Sequence, residues 1–467
     1  MTHDEYRAAL DELFRRRRFG IRPGLETIRA LLEGLDHPER KFPALHVTGS
    51  KGKGSTAAMA QSILSAHGLR TGLFTSPHLV TYRERARVDG RTISRSAVVE
   101  GLRRVDAAAR EAESAGRADR PPTFFEVTTA LALDWFAREE VDAAVVEVGI
   151  GGRLDATNVL DARVGVVTTI ELEHTDILGP DLASIAREKS GIFHPGMTGV
   201  VGDLPAEARA VVEATATRTG VPLWHLGKEL RVEDRTLSED GQTFSVRLPG
   251  RSYPKLFLPL LGRFQPTNAG LAVAAAERFA AATDLPLSLE KVSAGLAEVR
   301  WTGRLERIAR RPELFYDVAH TPESARAVAQ SLAEISPLAD PAESAIVFGC
   351  LKEKDAGRIL DALSPLARTL VVVPLRSDRG APPAELRVAA AGRFPRIVEA
   401  RSAKQGLAVA RAGTGPDGFT LVVGSDYLVG ELLREEEDGD EPDLSDPGVP
   451  SGPAGTAGPA AARRTPA

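Results

Sequence analysis

The sequence predicts an α/β protein made of two successive sheet-and-helix domains, the first larger than the second. Three observations predict it. Short apolar, β-leaning runs alternate with helical patterns from Ala44 to Lys189, an order that builds a mostly parallel sheet covered by helices. A second alternation of the same kind starts after residue 303. Between the first strand and the first helix of the series lies a glycine loop, Thr48-Gly49-Ser50-Lys51-Gly52-Lys53-Gly54-Ser55.

Residues 1–41 read as two helices separated by Phe19-Gly20-Ile21-Arg22-Pro23-Gly24, the second opening at Gly24-Leu25-Glu26. The run Arg15-Arg16-Arg17-Arg18 shares a helical pattern with Leu10, Leu13 and Phe14, so it reads as a solvated face rather than a polyanion patch. A strand at 44–48 leads into the glycine loop and a helix at 55–67. A strand at 71–74, helices at 95–115 and 123–139, strands at 143–148 and 164–170 and a helix at 181–189 continue the series. Residues 222–261 read as short antiparallel strands on a lid or side sheet, followed by a helix at 267–281. The second series has strands at 314–318, 345–348, 369–373, 397–400 and 419–423. These readings divide the chain into a domain at 1–302, a smaller Rossmann-like α/β domain at 303–434 and a disordered tail at 435–467.

The glycine loop carries the first chemical signal. A strand, a flexible loop with a lysine and a helix N-terminus together form a phosphate cradle. Backbone N–H groups and the positive helix end face the anion, and Lys53 adds a point charge. Gly54 separates Lys53 from the hydroxyl of Ser55, a departure from the strict Walker A spacing. A bare glycine turn is the alternative. The flanking strand and helix favour a nucleoside triphosphate site on a P-loop ATPase-like domain.

Composition limits the remaining possibilities. One cysteine, Cys350, rules out an internal disulfide and fits a reducing compartment. The N-terminal residues lack the apolar stretch of a signal peptide and no run approaches transmembrane length, so a cytoplasmic chain without a membrane partner is expected. The net charge of −5 is concentrated at 435–467, where eight acids and two arginines give −6; the remaining residues sum to +1. A nearly neutral body gives no support to nucleic-acid binding.

Nine motifs occur in one order: Phe19-Gly20-Ile21 with Gly24-Leu25-Glu26; the loop 48–55; Thr75-Ser76-Pro77-His78-Leu79; Tyr82-Arg83-Glu84-Arg85; Pro122-Thr123-Phe124-Phe125-Glu126; Glu147-Val148-Gly149-Ile150-Gly151-Gly152-Arg153-Leu154-Asp155-Ala156-Thr157-Asn158; Glu188-Lys189-Ser190-Gly191-Ile192; Asp317-Val318-Ala319-His320; and Val423-Gly424-Ser425-Asp426-Tyr427. In these the chain resembles the folylpolyglutamate synthases, with dihydrofolate synthases, of the Mur ligase superfamily of ATP-dependent amide ligases, over about residues 5–434. The resemblance implies ATP and Mg²⁺ as cofactors, and a reduced folate or dihydropteroate and L-glutamate as substrates. It also implies a monomer with small-molecule partners only.

It further implies site residues. Gly49, Ser50, Lys51, Gly52, Lys53, Gly54 and Ser55 would bind nucleotide, with Asn268, Arg304, Asp317 and His320 from later in the chain. Ser76, Glu147, His174 and a carbamylated Lys189 would hold metal, and Lys53, Lys189 and His174 would be catalytic. Arg83, Thr123, Phe124 and Asp155 would contact the acyl substrate, beside Phe125. Several of these have plain alternatives in the sequence itself. Lys189 ends a helix, where a lysine complements the helix dipole. Arg304 could form a domain-interface salt bridge, His174 could cap a turn, and Phe124 and Phe125 could be core. Glu147 follows the apolar run Val145-Val146, at the strand end where open α/β sheets place ligand groups.

The chain also departs from the family pattern. Ser50-Lys51 stands where many bacterial members have Thr-Asn, Phe264 replaces the usual histidine before Gln265, and Val318 stands where glycine is common. Thr321 and His194 replace a frequent asparagine and lysine. A divergent ligase joining another amino acid to a non-folate carboxylate is the second reading. A P-loop small-molecule kinase would need only the first domain, and an inactive binding protein would not need Lys53, Ser76, Glu147, His174 and Lys189 together.

Overall fold

Strand β1 (Ala44–Thr48) is buried along its whole length, because the alternating sequence Ala-Leu-His-Val-Thr puts a packed side chain on each face of the sheet it centres. The computed structural model describes residues 2–434; the tail expected at 435–467 lies outside them. Around β1 run β2 (Thr71–Phe74), β3 (Ala86–Val88), β4 (Arg91–Thr92), β5 (Ala143–Glu147), β6 (Ala162–Val167), β7 (Thr198–Val201) and β8 (Leu223–His225), in the order β4-β3-β2-β5-β1-β6-β7-β8. The neighbours from β2 through β5, β1, β6 and β7 to β8 are parallel, and β3 pairs antiparallel with both β2 and β4.

The two faces of the sheet bury different helices. Leu45 and Val47 pack with the helices Lys53–Ala66, Gln265–Thr283 and Leu289–Glu298. Ala44 packs on the opposite side with Arg95–Ser114, Phe124–Arg138 and Ala206–Thr219. His46 points to that second side, where its Nε2 lies 2.8 Å from Thr157 Oγ1 and burial pushes its pKa down to about 3, so the ring stays neutral.

A three-stranded antiparallel sheet follows, β9 (Arg231–Ser238), β10 (Gly241–Leu248) and β11 (Arg251–Leu258), in the order β11-β10-β9. The expected side sheet at 222–261 is thus corrected at its start. Leu223–His225 pairs in parallel with β7 and closes the edge of the large sheet. The strand expected at 164–170 is also displaced, to Ala162–Val167, because Thr168 and Thr169 turn out of the ladder to hold the glycine loop. β3, β4, β7 and β12, of two to five residues each, lie outside the strands that the sequence predicts.

The last sheet contains β12 (Glu306–Arg310), β13 (Glu313–Tyr316), β14 (Ala345–Phe348), β15 (Thr369–Val372), β16 (Arg396–Glu399) and β17 (Phe419–Val423), ordered β12-β13-β17-β14-β15-β16 and parallel except for β12. It meets the first part of the chain at several places, among them an ion-pair cluster and a helix contact. Arg235 and Arg263 both pair with Glu334, at 2.7 and 3.0 Å. The helix Asp426–Leu433 lies against the segment after β2, so closely that a Cβ on Gly430 would overlap the carbonyl oxygen of Leu79.

The Gly430 contact is testable. Gly430→Ala should act as an overpacking substitution, costing about 1–3 kcal/mol. A thermal melt should show a midpoint several degrees lower. An unchanged midpoint would show that helix and loop separate without cost.

Candidate active site

The glycine loop is fixed by strand ends on both sides. Gly49 and Gly52 have φ of 145° and 83°, which L side chains rarely adopt, and a Cβ on Gly49 would overlap Thr168 Oγ1. The Thr168 hydroxyl donates to the Lys51 carbonyl at 2.6 Å, Lys51 N–H donates to Thr169 Oγ1 at 2.8 Å, and Ser50 N–H donates to the Thr169 carbonyl at 2.8 Å. Ser50 Oγ accepts from Glu171 N–H at 2.9 Å, so its hydroxyl is bound to the facing loop.

Two ammonium groups converge on one carbonyl of this loop. Lys53, the first residue of its helix, donates to Gly49 O at 2.8 Å and to Ser50 O at 3.3 Å. Lys189, buried near the end of helix Leu182–Ser190, donates to the same Gly49 oxygen at 3.0 Å and to Glu173 Oε1 at 2.9 Å. Burial, offset in part by Glu173 and reinforced by Lys53, pulls the Lys189 amine down to about 8. Burial alone would raise Glu173, but Lys189, Lys53 and Lys51 hold it well below the usual carboxylate range. Lys51 Nζ stands 4.0 Å from the other Glu173 oxygen. His174 follows at a φ of 47°, exposed, within electrostatic reach of Lys53, Lys189 and Lys354.

Glu147 ends β5 on the far side of the loop. It is buried, its Oε2 accepts from Ser76 N–H at 3.1 Å, and a Cβ on Gly54 would stand 3.4 Å from that same oxygen. Burial raises its pKa, against the opposing pull of Lys53, the Ser76 N–H, Arg304 and Arg85. Among the described residues no three His, Cys, Asp or Glu side chains gather as an all-protein metal cage. A buried carboxylate beside a serine still fits magnesium, which takes oxygen donors and keeps several waters or phosphate oxygens. It does not fit a structural zinc.

The later part of the chain completes this end of the sheet. Gln265 Nε2 donates to Ser55 Oγ at 3.4 Å and Gln265 Oε1 accepts from Asn268 Nδ2 at 3.0 Å, which places Asn268 against Gly52. Asp317 is buried, and its two oxygens accept from Leu305 N–H and Ala319 N–H, both at 2.7 Å. Burial pushes it up to about 6, against Arg304. These bonds pin Leu305 at a φ of 49°, next to Gly303 at 71°, where the chain passes into the last sheet. Arg304 and Trp301 line a cavity of about 240 Å³ at this junction, and the buried Trp301 indole N–H has no acceptor among the described residues. His320 Nδ1 lies 2.9 Å from the Val318 carbonyl; burial, Lys51 and Lys354 push its pKa down to about 3, so it is neutral.

The expected acyl-contact residues have other partners here. Thr123 caps the helix Phe124–Arg138 in a reciprocal box with Glu126. Asp155 accepts from Thr157 Oγ1 at 2.6 Å and from Ile150 N–H at 2.9 Å. Arg83 donates to the Ile93 carbonyl and to Thr92 Oγ1, at 2.7 and 2.9 Å. Phe124 is buried, with Phe14 stacked 5.2 Å away. A cavity of about 450 Å³ opens close by, lined by Leu31, Arg120, Pro121 and Pro122, and Arg83, Thr123, Phe124 and Asp155 do not line it. Glu173, Thr168 and Thr169 join the site although none is among the residues expected there from the sequence. The two threonines follow a strand end, where ligand loops gather, and Glu173 stands one residue before His174.

Comparison with known proteins matches residues 47–276 to the Mur ligase middle domain and residues 303–426 to the Mur ligase, glutamate ligase domain. The chain is 38% identical over 386 residues to the dihydrofolate synthase/folylpolyglutamate synthase of Mycobacterium tuberculosis, covering 80% of this chain and 79% of that protein. It is 36% identical over 443 residues to a probable bifunctional folylpolyglutamate synthase/dihydropteroate synthase of Haloferax volcanii; the match covers 91% of this chain and spans about half, 50%, of that relative. The fold is similar to the solved Mycobacterium tuberculosis folylpolyglutamate synthase complexed with ADP, with a TM-score of 0.85 and 34% identity, over 92% of this chain and 98% of that one.

Proposed function

We propose that this chain, which belongs to the folylpolyglutamate synthase/dihydrofolate synthase family of ATP-dependent Mur ligases, adds L-glutamate to the carboxylate of a reduced folate, and to dihydropteroate. The observation that carries this reading is the glycine loop itself, with Lys53 on the Gly49 carbonyl, Lys51 4.0 Å from Glu173, and the buried Glu147 held by the Ser76 N–H. Such a loop carries surplus positive charge in a partly buried place, which a triphosphate balances.

The substrate carboxylate attacks the γ-phosphorus, ADP leaves, and the resulting acyl phosphate is opened by the glutamate amine with loss of phosphate. Lys53 and the loop amides stabilise the charge spread over the transferring oxygens. Ser76, Glu147 and His174 would hold magnesium, and a carbamylated Lys189 would help hold a second ion; magnesium there would supply neutralisation of phosphate charge. Arg304 supplies a fork of donors to phosphate from the second domain. Asp317 accepts from the ribose hydroxyls and His320 lies against the adenine. Phe124, Thr123, Arg83 and Asp155 shape the acyl end once their present partners yield. The division at 302/303 separates the nucleotide-binding domain from the glutamate-ligase domain, and the enzyme works as a cytoplasmic monomer on small molecules. Among the described residues no helix is long and apolar enough to cross a membrane.

Incubation with ATP, Mg²⁺ and L-glutamate, against a panel of reduced folates, dihydropteroate and unrelated carboxylates, should give a product heavier by one glutamyl unit from the pterin substrates only. Lys53→Ala should abolish it while the protein stays folded. Turnover confined to a non-pterin acid would replace this reading with the divergent ligase.

Lys189 separates a carbamate from a plain helix-end lysine. Lys189→Ala should be nearly inactive and recover in part with a small carboxylic acid in the medium. Lys189→Arg should stay inactive, because arginine keeps its charge and cannot take up CO₂. An active Lys189→Arg enzyme would return the residue to a structural role.

A further inference from the structure

Arg85 is buried to 1% exposure, although burying a guanidinium costs several kcal/mol unless its surroundings compensate. Its surroundings belong to the site. Nε–H donates to His78 Nδ1 at 2.8 Å. The guanidinium carbon lies 5.1 Å over the Phe124 ring, and its charge favours the ionised form of Glu147. Its own carbonyl accepts from Thr75 N–H at 3.1 Å.

We propose that Arg85 is a positioning residue that fixes the segment Thr75–His78, and through it the Ser76 contact to Glu147, in register with Phe124. The connection runs through adjoining atoms. Because Arg85 donates to His78 Nδ1, the His78 proton sits on Nε2 and the ring is held in one tautomer. His78 packs edge-on against Tyr82 at 6.2 Å, two residues beyond Ser76, whose N–H reaches Glu147 at 3.1 Å. The same turn, Tyr82–Arg85, grips the other end of the segment. Glu84 accepts from the N–H groups of Leu79, Val80 and Thr81 at 3.0, 2.9 and 2.8 Å. The turn itself is anchored by β3 on β2, with Ala86 opposite Phe74. Glu84 and Arg85 thus clamp the metal-side segment from a rigid strand edge. Lysine at position 85 would keep the charge and lose the directed Nε–H bond.

This inference rests on reading Ser76 and Glu147 as magnesium ligands, so the test carries a control for that reading. Mg²⁺ is titrated calorimetrically into wild type, Arg85→Lys, Arg85→Met and Glu147→Gln, each saturated with a non-hydrolysable ATP analogue. Loss of such an outer partner weakens metal binding by roughly tenfold or more, and that is expected for Arg85→Lys, with a larger loss for Arg85→Met. KM for glutamate should not change in either. Wild-type magnesium affinity in Arg85→Lys, with Glu147→Gln impaired, overturns the role of Arg85 alone. Unchanged affinity in Glu147→Gln overturns the magnesium reading beneath it. If the Arg85 variants fail to fold, His78→Phe decides, since it keeps a ring beside Tyr82 and removes the acceptor. Weakened magnesium binding in that variant supports the clamp, and wild-type binding overturns it.

Discussion

The site is organised around one oxygen. The Gly49 carbonyl accepts from the ammonium groups of both Lys53 and Lys189, and no side chain at residue 49 is compatible with the loop that presents it. Two like charges on one acceptor repel unless anions stand nearby. Glu173 meets this need on the Lys189 side, and Glu147 lies within electrostatic reach of Lys53. The balance is incomplete, since Lys51 and Arg304 add further positive charge. The strand ends and the two threonines that follow β6 meet at this loop.

The same constraint links fold to chemistry. Parallel strands bring the C-terminal ends of β1, β2, β5 and β6 to one edge of the sheet, so residues far apart in sequence meet there: Gly49, Ser76, Glu147 and Thr168. The last sheet contributes from the opposite direction. Asp317 uses both oxygens to hold Leu305 and Ala319, which sets the backbone beside Arg304. Lys51, Lys53 and Lys189 thus belong to the first part of the chain, and Arg304 to the passage into the last sheet.

Much of this was legible in the sequence, for physical reasons that differ by element. The buried central strands are short and mostly apolar or β-branched, so β1, β2, β5 and β17 stand out in the sequence. The edge strands β3 and β4, Ala-Arg-Val and Arg-Thr, are short and charged, as edges must be, and carry no such pattern. β8 was assigned to the wrong sheet because three half-buried residues, Leu223 to His225, do not reveal which neighbour they pair with. At the site, glycine loop, Lys53 and Glu147 announced themselves through spacing. Glu173 did not, because its role depends on Lys189, sixteen residues away in the chain and adjacent only in the fold.

The central claim is that this electrostatic surplus serves to activate a carboxylate by phosphoryl transfer. The most direct measurement follows oxygen. With a folate substrate whose reacting carboxylate carries ¹⁸O, turnover with ATP and L-glutamate should place one labelled oxygen in the released inorganic phosphate, because the acyl phosphate breaks at carbon when the amine attacks. Product formation with unlabelled phosphate would contradict it.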